Sequence, residues 1–258
     1  MLRFYKSVMF VGIFSCLCCW CLSSAFACEL TVRTYPYPPF AMKDQHGQWR
    51  GIDIDYTKVL LDESNCRYTF VEIPWGRGIV LLREGKIDMM LNVTKTPRRA
   101  PFMHFVGPQR METLLLVAKK DSLPMISHWS QLKTLEATFM RQRGTFIGER
   151  FEQLLTENPT LKNRLIYLAN NVVNIDMIRK GRAVGFFSEQ AILKHEYAKN
   201  PDYSILETHP LVINRAPVFY AFSKASMSAK QIQIIIEGYH RLEATNKLEA
   251  VEAQYDKY

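Results

Sequence analysis

Residues 85–99 read GKIDMMLNVTKTPRR and decide how the surrounding chain folds. The segment 87–93 is mostly apolar and is bounded by turn-forming residues, which predicts a buried strand. Thr96 followed by Pro97 predicts the N-cap and first residue of a helix. Arg99 then falls in the first helical turn, where a positive charge is locally unfavourable. Two interpretations of Arg99 stay open here: contact with a bound anion, or a solvated surface residue.

The first 27 residues have the pattern of a secretory signal peptide. Arg3 and Lys6 form a positive n-region, an apolar core spans 8–22, and Ala-Phe-Ala at 25–27 supplies a cleavage site. The apolar core is too short and wrongly flanked for a permanent membrane span. We therefore expect residues 1–27 to be removed, leaving an exported soluble protein that begins at Cys28.

Two cysteines remain after such cleavage, Cys28 and Cys66, and each directly precedes a predicted strand. If those strands are parallel neighbours, their starts are adjacent and the two cysteines can form a disulfide in an oxidising compartment. The alternative makes Cys28 the acylated residue of a lipoprotein, although the residues before it fit a lipobox poorly.

The formal charge of the chain is +8, and its basic residues are scattered rather than clustered. No surface that would track a phosphate backbone is indicated, so we expect no nucleic-acid partner. A cationic surface that attracts anionic ligands, or no charged partner at all, fits this pattern better. The six histidines are not spaced along the chain as metal ligands are, so no metal site is expected, and no cofactor is expected either.

Strands and helices alternate along the chain, which favours parallel sheets with helices on their faces. The first section is predicted as strand 30–35, a helix capped by Asp53 and ending near Glu63, strand 68–73, helix 77–84 and strand 87–91. The second is predicted as strand 135–140, helix 146–155, strand 164–167, helix 173–180 and strand 183–187. Extended apolar runs at 113–118 and 216–222 bracket the second section, as two strands crossing between two lobes would. Helices at 228–243 and 247–255 are predicted to close the chain.

An ordered set of short blocks resembles family 3 extracellular solute-binding proteins, the polar-amino-acid receptors of bacterial ABC importers. The blocks are YPPF at 37–40, GIDID at 51–55, GKID at 85–88, TPRR at 96–99, GT at 144–145, GRAVGF at 181–186 and Tyr255. The resemblance implies an α/β, two-lobed periplasmic-binding-protein fold of type II, each lobe a mainly parallel sheet flanked by helices. Lobe 1 would comprise 28–116 and 217–258, and lobe 2 would comprise 117–216.

The resemblance also implies ligand-binding roles. Arg99 matches the family's arginine that grips the ligand's α-carboxylate, and a guanidinium can pair with a carboxylate through two hydrogen bonds. Gly144 and Thr145 lie at a predicted helix start in lobe 2, where backbone N–H groups would favour the same carboxylate. Tyr37 matches the family's stacking aromatic, although a loop residue packed on the Pro-rich turn is the plainer interpretation.

Further candidates complete the predicted cleft. Trp75 is predicted to form the opposite aromatic wall, with Asn92 and Thr94 supplying hydrogen bonds. Glu189 occupies the position where the family carries an acidic residue, usually Asp, that pairs with the ligand's ammonium; alternatively it begins the next helix as a solvated residue. Three further arginines add positive charge near the cleft and raise the possibility of a second carboxylate on the ligand: Arg77, Arg141 and Arg143.

The favoured function is a periplasmic, monomeric, non-enzymatic receptor whose two lobes close on a small amino-acid-like carboxylate. A membrane permease of the ABC type would then recognise and bind the closed form. The alternative is an enzyme on the same scaffold, similar to cyclohexadienyl dehydratases, with Glu189 as a general acid. A third possibility is a sensor that acts in trans on a signalling partner.

Overall fold

The computed structural model describes residues 28–169 and 175–255. The strands are β1 (Cys28–Thr34), β2 (Met42–Lys43), β3 (Trp49–Arg50), β4 (Cys66–Glu72), β5 (Met89–Thr94), β6 (Met103–Lys119), β7 (Phe139–Gln142), β8 (Leu165–Leu168), β9 (Gly185–Glu189) and β10 (Leu206–Ser223). The α-helices are α1 (Ile52–Glu63), α2 (Trp75–Arg83), α3 (Trp129–Lys133), α4 (Glu149–Glu157), α5 (Pro159–Asn163), α6 (Ile175–Arg179), α7 (Gln190–Lys199), α8 (Ala229–Ala244) and α9 (Lys247–Glu252). The predicted signal peptide lies outside the described residues, as does the start of the helix predicted at 173–180.

Eight strands form one sheet in the order β4-β1-β5-β10-β6-β9-β7-β8. Strands β4, β1 and β5 are parallel at one end, and β8, β7 and β9 are parallel at the other. Between them β10 and β6 pair with each other in antiparallel register. The predicted pattern of two parallel α/β sections is confirmed.

The two central strands join the two sections. β6 has 17 residues and β10 has 18, and their pairing runs from Met103 opposite Ser223 to Leu206 opposite Lys119. One end of β10 pairs with β5, whereas the other end of β6 pairs with β9. This confirms two lobes with two crossing strands. We call β1–β5 with α1, α2, α8 and α9 the first lobe, and β7–β9 with α3–α7 the second lobe.

Each lobe buries apolar side chains on both faces of its part of the sheet. Because successive strand residues point to opposite faces, neighbours in β6 separate: Leu116 joins the core of α3–α5, and Val117 joins the core of α6 and α7. In the first lobe Met89 packs on the side of α1 and α8, and Met90 on the side of α2. Within the described ranges, no helix is both long and apolar enough to cross a bilayer.

The predicted disulfide is confirmed. Cys28 and Cys66 are opposite each other in the parallel pair β1–β4, with their Cα atoms 4.6 Å apart, and their sulfurs are bonded. A sulfur in this bond is not free to carry an acyl anchor, so the lipoprotein alternative for Cys28 is wrong.

The predicted cap of α1 is wrong. Gly51, not Asp53, occupies the N-cap position, with a φ of 120°. A Cβ at Gly51 would lie 2.4 Å from the carbonyl oxygen of Phe40, so only glycine fits this close approach. Asp53 is the second residue of the helix and is buried, and its carboxylate accepts a hydrogen bond from Arg110 on β6 instead of capping the helix.

The helix predicted at Pro97 is also wrong. The residues after β5 form consecutive turns, in which the N–H groups of Arg99 and Ala100 both donate to the carbonyl of Thr96, each at 3.0 Å. Pro101 has no N–H, so the helical hydrogen-bond ladder cannot continue past this point. Arg99 is therefore held by a compact loop.

Candidate functional site

A cavity of about 90 Å³ lies where the two lobes meet. On the first lobe it opens at the carboxyl ends of the parallel strands β1 and β5, the edge at which open α/β sheets bind ligands. Second-lobe residues close it from the loop after β7. Six of the eight predicted ligand residues line this cavity: Tyr37, Trp75, Asn92, Thr94, Arg99 and Thr145. Gly144 and Glu189 do not, although Glu189 lines an adjoining cavity of about 950 Å³.

Arg99 is buried in the small cavity, with 7% of its surface exposed. Its Nη1 donates to the carbonyl of Thr94 at 2.8 Å and its Nη2 to the carbonyl of Gly144 at 3.1 Å. Within the described part of the chain, no carboxylate forms an ion pair with it. Burial lowers the pKa of Arg99 to about 10, so it stays charged at neutral pH. The solvated interpretation of Arg99 is therefore wrong.

Trp75 and Tyr37 both contribute aromatic surface to the cavity. The indole Nε1 of Trp75 donates to the Gly144 carbonyl at 3.1 Å, and the guanidinium carbon of Arg99 lies 5.6 Å from the indole ring. Tyr37 packs against Phe40, with 5.8 Å between ring centroids, and burial raises its pKa well above the ordinary value. Its hydroxyl is neutral at physiological pH and can take part in hydrogen bonds.

Asn92 and Thr94 lie at the end of β5, next to Arg99. Asn92 adopts a left-handed backbone conformation with φ 59°, and its N–H donates to Oε1 of Gln109 at 2.9 Å. The Asn92 side-chain oxygen is buried and has no hydrogen-bond partner among the described residues. Thr94 orients Arg99 through its carbonyl.

The helix start predicted at Gly144 and Thr145 is wrong, whereas their role in ligand binding stays a prediction. α4 begins at Glu149, with Gly148 as its N-cap, so neither residue stands at a helix N-terminus. The Thr145 hydroxyl donates to the carbonyl of Gln142 at 2.8 Å, and its N–H donates to the same oxygen at 3.4 Å. These residues form a tight turn instead, and Gly144 offers the first lobe its carbonyl rather than its N–H.

Glu189 belongs to a buried charge cluster that also contains Asp53, Arg110 and Glu112. Arg110, on β6, donates to both carboxylate oxygens of Glu189, one of them at 3.1 Å, and to Oδ1 of Asp53 at 2.9 Å. Glu189 occupies the N-cap of α7 but is only 3% exposed and does not cap it, so the solvated interpretation is wrong. Arg110 and Glu112 were not predicted from the sequence, although two charged residues on one face of an extended segment, just before the apolar run at 113–118, are a usable signal.

The cluster holds three carboxylates and one guanidinium. Burial raises the pKa of Glu112 to about 7 and also raises the pKa of Glu189. The positive charge of Arg110 lowers both values but does not outweigh burial. Burial lowers the pKa of Arg110, but Asp53 and Glu189 outweigh this and keep it charged. Glu112 lines both cavities, and no ion pair is found for it within the described ranges. Glu112 is therefore the carboxyl group of this cluster that has no ion pair with Arg110.

The three arginines predicted to add charge to the cleft do not line the small cavity. Arg77 and Arg143 are exposed and line neither cavity. Arg141 lines only the larger cavity, where it pairs with both carboxylate oxygens of Glu152 and donates to the Thr145 carbonyl at 2.5 Å. The small cavity instead contains Arg33, a residue that was not singled out from the sequence. No group of acidic, histidine or cysteine side chains suited to a metal ion occurs in the portions of the chain that the structure covers.

Two lobes joined by two crossing strands, with a charged cavity between them, define a ligand-binding protein of the closing-cleft type. Residues 30–256 match the model of the bacterial extracellular solute-binding proteins, family 3, and the chain belongs to that family.

Named relatives are similar over about two thirds of their length. The arginine-binding periplasmic protein of Mannheimia haemolytica is 24% identical over 184 residues, covering 68% of this chain and 71% of the relative. The histidine-binding periplasmic protein of Escherichia coli K12 is 27% identical over 186 residues, covering 69% of this chain and 68% of that relative. An ancestral arginine-binding protein solved with glutamine bound superposes with a TM-score of 0.74 at 19% identity, covering 89% of this chain and 98% of that one.

Proposed function

We propose that this solute-binding protein captures a small amino acid or related carboxylate between its lobes and presents it to a membrane transporter. The observation that carries the proposal is Arg99, a buried guanidinium in the interlobe cavity without a carboxylate partner in the described chain. A buried charge is costly unless it is paired, so an anionic ligand is the missing partner. The relatives named for binding arginine and histidine support a ligand of the amino-acid class.

The ligand's ammonium has two candidate acceptors. Glu189 remains the prediction from the family resemblance, but both of its oxygens already accept hydrogen bonds from Arg110. Glu112 lines the same cavity as Arg99 and has no such partner. We therefore infer that Glu112 takes the ammonium directly, while Glu189 keeps Arg110 in place. Tyr37 and Trp75 would enclose the ligand's apolar part, with Asn92, Thr94 and Thr145 around it.

Binding is proposed to proceed by hinge closure. Residues 28–116 with 217–258 would move as one lobe and 117–216 as the other, with β6 and β10 as the hinge. Ligand contacts on both lobes would then favour the closed form. We further propose export by a cleaved signal peptide at 1–27, action as a periplasmic monomer, and an ABC permease as the partner that reads the closed form.

The enzyme alternative has weaker support. A general acid needs a proton that it can release to a substrate. Glu189 is bound through both oxygens to Arg110 and lies outside the small cavity that Arg99 occupies. The named relatives are binding proteins. We propose a receptor without catalytic activity.

A thermal-shift screen of the mature chain against the common amino acids, their amides and small dicarboxylates would test this proposal. We expect saturable stabilisation by at least one amino acid, followed by a measurable heat of binding in calorimetry. Product analysis of each hit should recover the ligand unchanged. Chemical conversion of a hit would replace the receptor with the enzyme, and no response from any member of the panel would overturn amino-acid binding.

A further inference from the structure

We propose that Arg33 forms a second anion-binding position in the interlobe cavity, so that the preferred ligand is an amino acid carrying a second carboxylate. This inference rests on the proposed function, because it assumes that Arg99 holds the first carboxylate. It adds a residue, a ligand class and a charge requirement that the family membership does not supply.

Arg33 stands at the second-to-last position of β1, where the strand reaches the ligand-binding edge. Its neighbours Val32 and Thr34 are buried, and Arg33 itself is only 8% exposed. It points to the face covered by α2, where a Cβ at Gly78 would lie 3.2 Å from the arginine Cγ. The aliphatic part of the Arg33 side chain thus packs against Gly78 of α2, and this contact fixes the position of the side chain.

The guanidinium of Arg33 is oriented toward the cavity. Its Nε donates to the carbonyl of Ile73 at 2.7 Å, which fixes the plane of the group. No described residue accepts a hydrogen bond from its two terminal nitrogens, and no carboxylate in the described chain forms an ion pair with it. Burial lowers the pKa of Arg33 to about 10, so it remains charged at neutral pH. Its remaining donors are available to a ligand.

Arg33 and Arg99 share one aromatic neighbour. The guanidinium carbon of Arg33 lies 5.4 Å from the Trp75 ring, and that of Arg99 lies 5.6 Å from it. Cation–π contact offsets part of the cost of burying each charge, but it provides no counter-ion. Both arginines line the same small cavity, so a short ligand can reach both.

The charges around the cavity match an acidic amino acid. Two guanidiniums face it without forming an ion pair in the described chain, and Glu112 faces it without forming one either, although Arg99 and Glu112 influence each other's pKa. An α-amino dicarboxylate carries two negative groups and one positive group, which complements this set. The arrangement distinguishes an acid from its amide, because an amide would leave the Arg33 charge buried and unpaired.

Calorimetry on the mature chain with L-glutamate, L-glutamine, L-aspartate, L-asparagine and glutarate tests the inference. We expect each acid to bind at least roughly tenfold more tightly than its amide, since charge-assisted hydrogen bonds are the strong ones. Arg33→Gln should remove this preference by weakening the acids, while the amides should bind no more weakly than before, because they no longer leave a buried charge unpaired. The control variant Arg77→Gln, which removes an exposed charge from the same lobe, should preserve the preference for acids over amides. Should Arg33→Gln fail to fold, the acid-to-amide ratio of the unsubstituted protein remains decisive.

The possible failures are distinguishable. Equal binding of acids and amides, with binding still dependent on Arg99, would overturn the role of Arg33 and leave the proposed function standing. Equal weakening of acid and amide by Arg33→Gln would also overturn it, because the arginine would then serve only the structure. Glutarate binding as tightly as glutamate would support two anion positions while contradicting the ammonium site. Absence of binding by every probe would overturn both proposals.

Discussion

Arg99 of the first lobe donates from Nη2 to the backbone carbonyl of Gly144 in the second lobe, at 3.1 Å. The indole Nε1 of Trp75 donates to the same oxygen at the same distance. One second-lobe acceptor therefore holds two first-lobe side chains that also line the cavity. Closure of the lobes and construction of the proposed ligand site are thus coupled through one turn, residues 142–145.

Replacing Arg99 with alanine should abolish ligand binding. The substitution removes a charge-assisted pair with the ligand carboxylate and the interlobe contact to Gly144, so we expect a loss on the order of 3 kcal/mol, or at least about 100-fold in affinity. Calorimetry with the ligand found in the screen measures this. The neighbouring Arg98→Ala provides a matched control, because Arg98 is exposed and lines neither cavity. Similar affinity for the two variants would remove Arg99 from the site.

Replacing Trp75 with phenylalanine should loosen the closed form while preserving an aromatic wall. The change deletes the hydrogen bond from Nε1 to Gly144, worth about 1 kcal/mol. We expect a larger radius of gyration for the ligand-free protein in small-angle X-ray scattering and a ligand affinity lower by roughly fivefold. Trp49→Phe, in β3 and outside the cavity, is the control. An unchanged radius of gyration would show that this hydrogen bond does not bias closure.

Much of the fold could be predicted because its signals are local. Alternating short apolar runs and helical segments gave the order of strands and helices in both lobes. The two bracketing extended runs indicated the crossing strands, although β6 and β10 are far longer than these runs, which lie near the carboxyl end of each strand. The rest of each strand is extended because β6 and β10 pair with each other, and that pairing depends on contacts distant in sequence.

The errors concern local signals that tertiary packing overrides. Asp53 fits an N-cap by residue type, but Arg110, 57 residues away, binds its carboxylate instead. Glu189 fits a helix start and a ligand partner equally well until Arg110 is seen to occupy both its oxygens. Arg33 is the one charged residue of the predicted strand 30–35 and lies near its ligand-binding end, which was a reason to consider it. Which charges remain unpaired in a cavity depends on all the elements around it, and no single segment contains that information.

The pKa of Glu112 predicts a dependence of stability on pH. Burial raises this pKa from 4.5 to about 7, so the folded state retains a proton that the unfolded state releases. Stability should therefore fall as the pH rises from about 4.5 to 7 and then level off, by roughly 3 kcal/mol at most. Arg110 and Arg99 oppose this shift, while Asp53 adds to it.

Comparison with Glu112→Gln isolates that contribution. The variant cannot ionise at this position, and it also relieves Glu189 of a neighbouring charge that raises the Glu189 pKa. Urea unfolding at a series of pH values should show the variant gaining stability relative to the unsubstituted protein through the same interval. Parallel pH profiles for the two proteins would mean that folding does not raise the pKa of Glu112. The variant should also bind an amino-acid ligand more weakly if Glu112 accepts its ammonium.

Removing the disulfide should cost stability without affecting the ligand site. Cys28 and Cys66 begin β1 and β4, whereas the cavity lies at the opposite, carboxyl ends of the parallel strands. The double variant Cys28→Ser, Cys66→Ser releases a crosslink between residues 38 apart, so we expect a loss of about 2–4 kcal/mol in the free energy of unfolding. Ligand affinity measured well below the melting temperature should stay within about twofold. Mass spectrometry of the exported protein should find no free thiol at either residue, and two free thiols there would contradict both the bond and the expected stability difference.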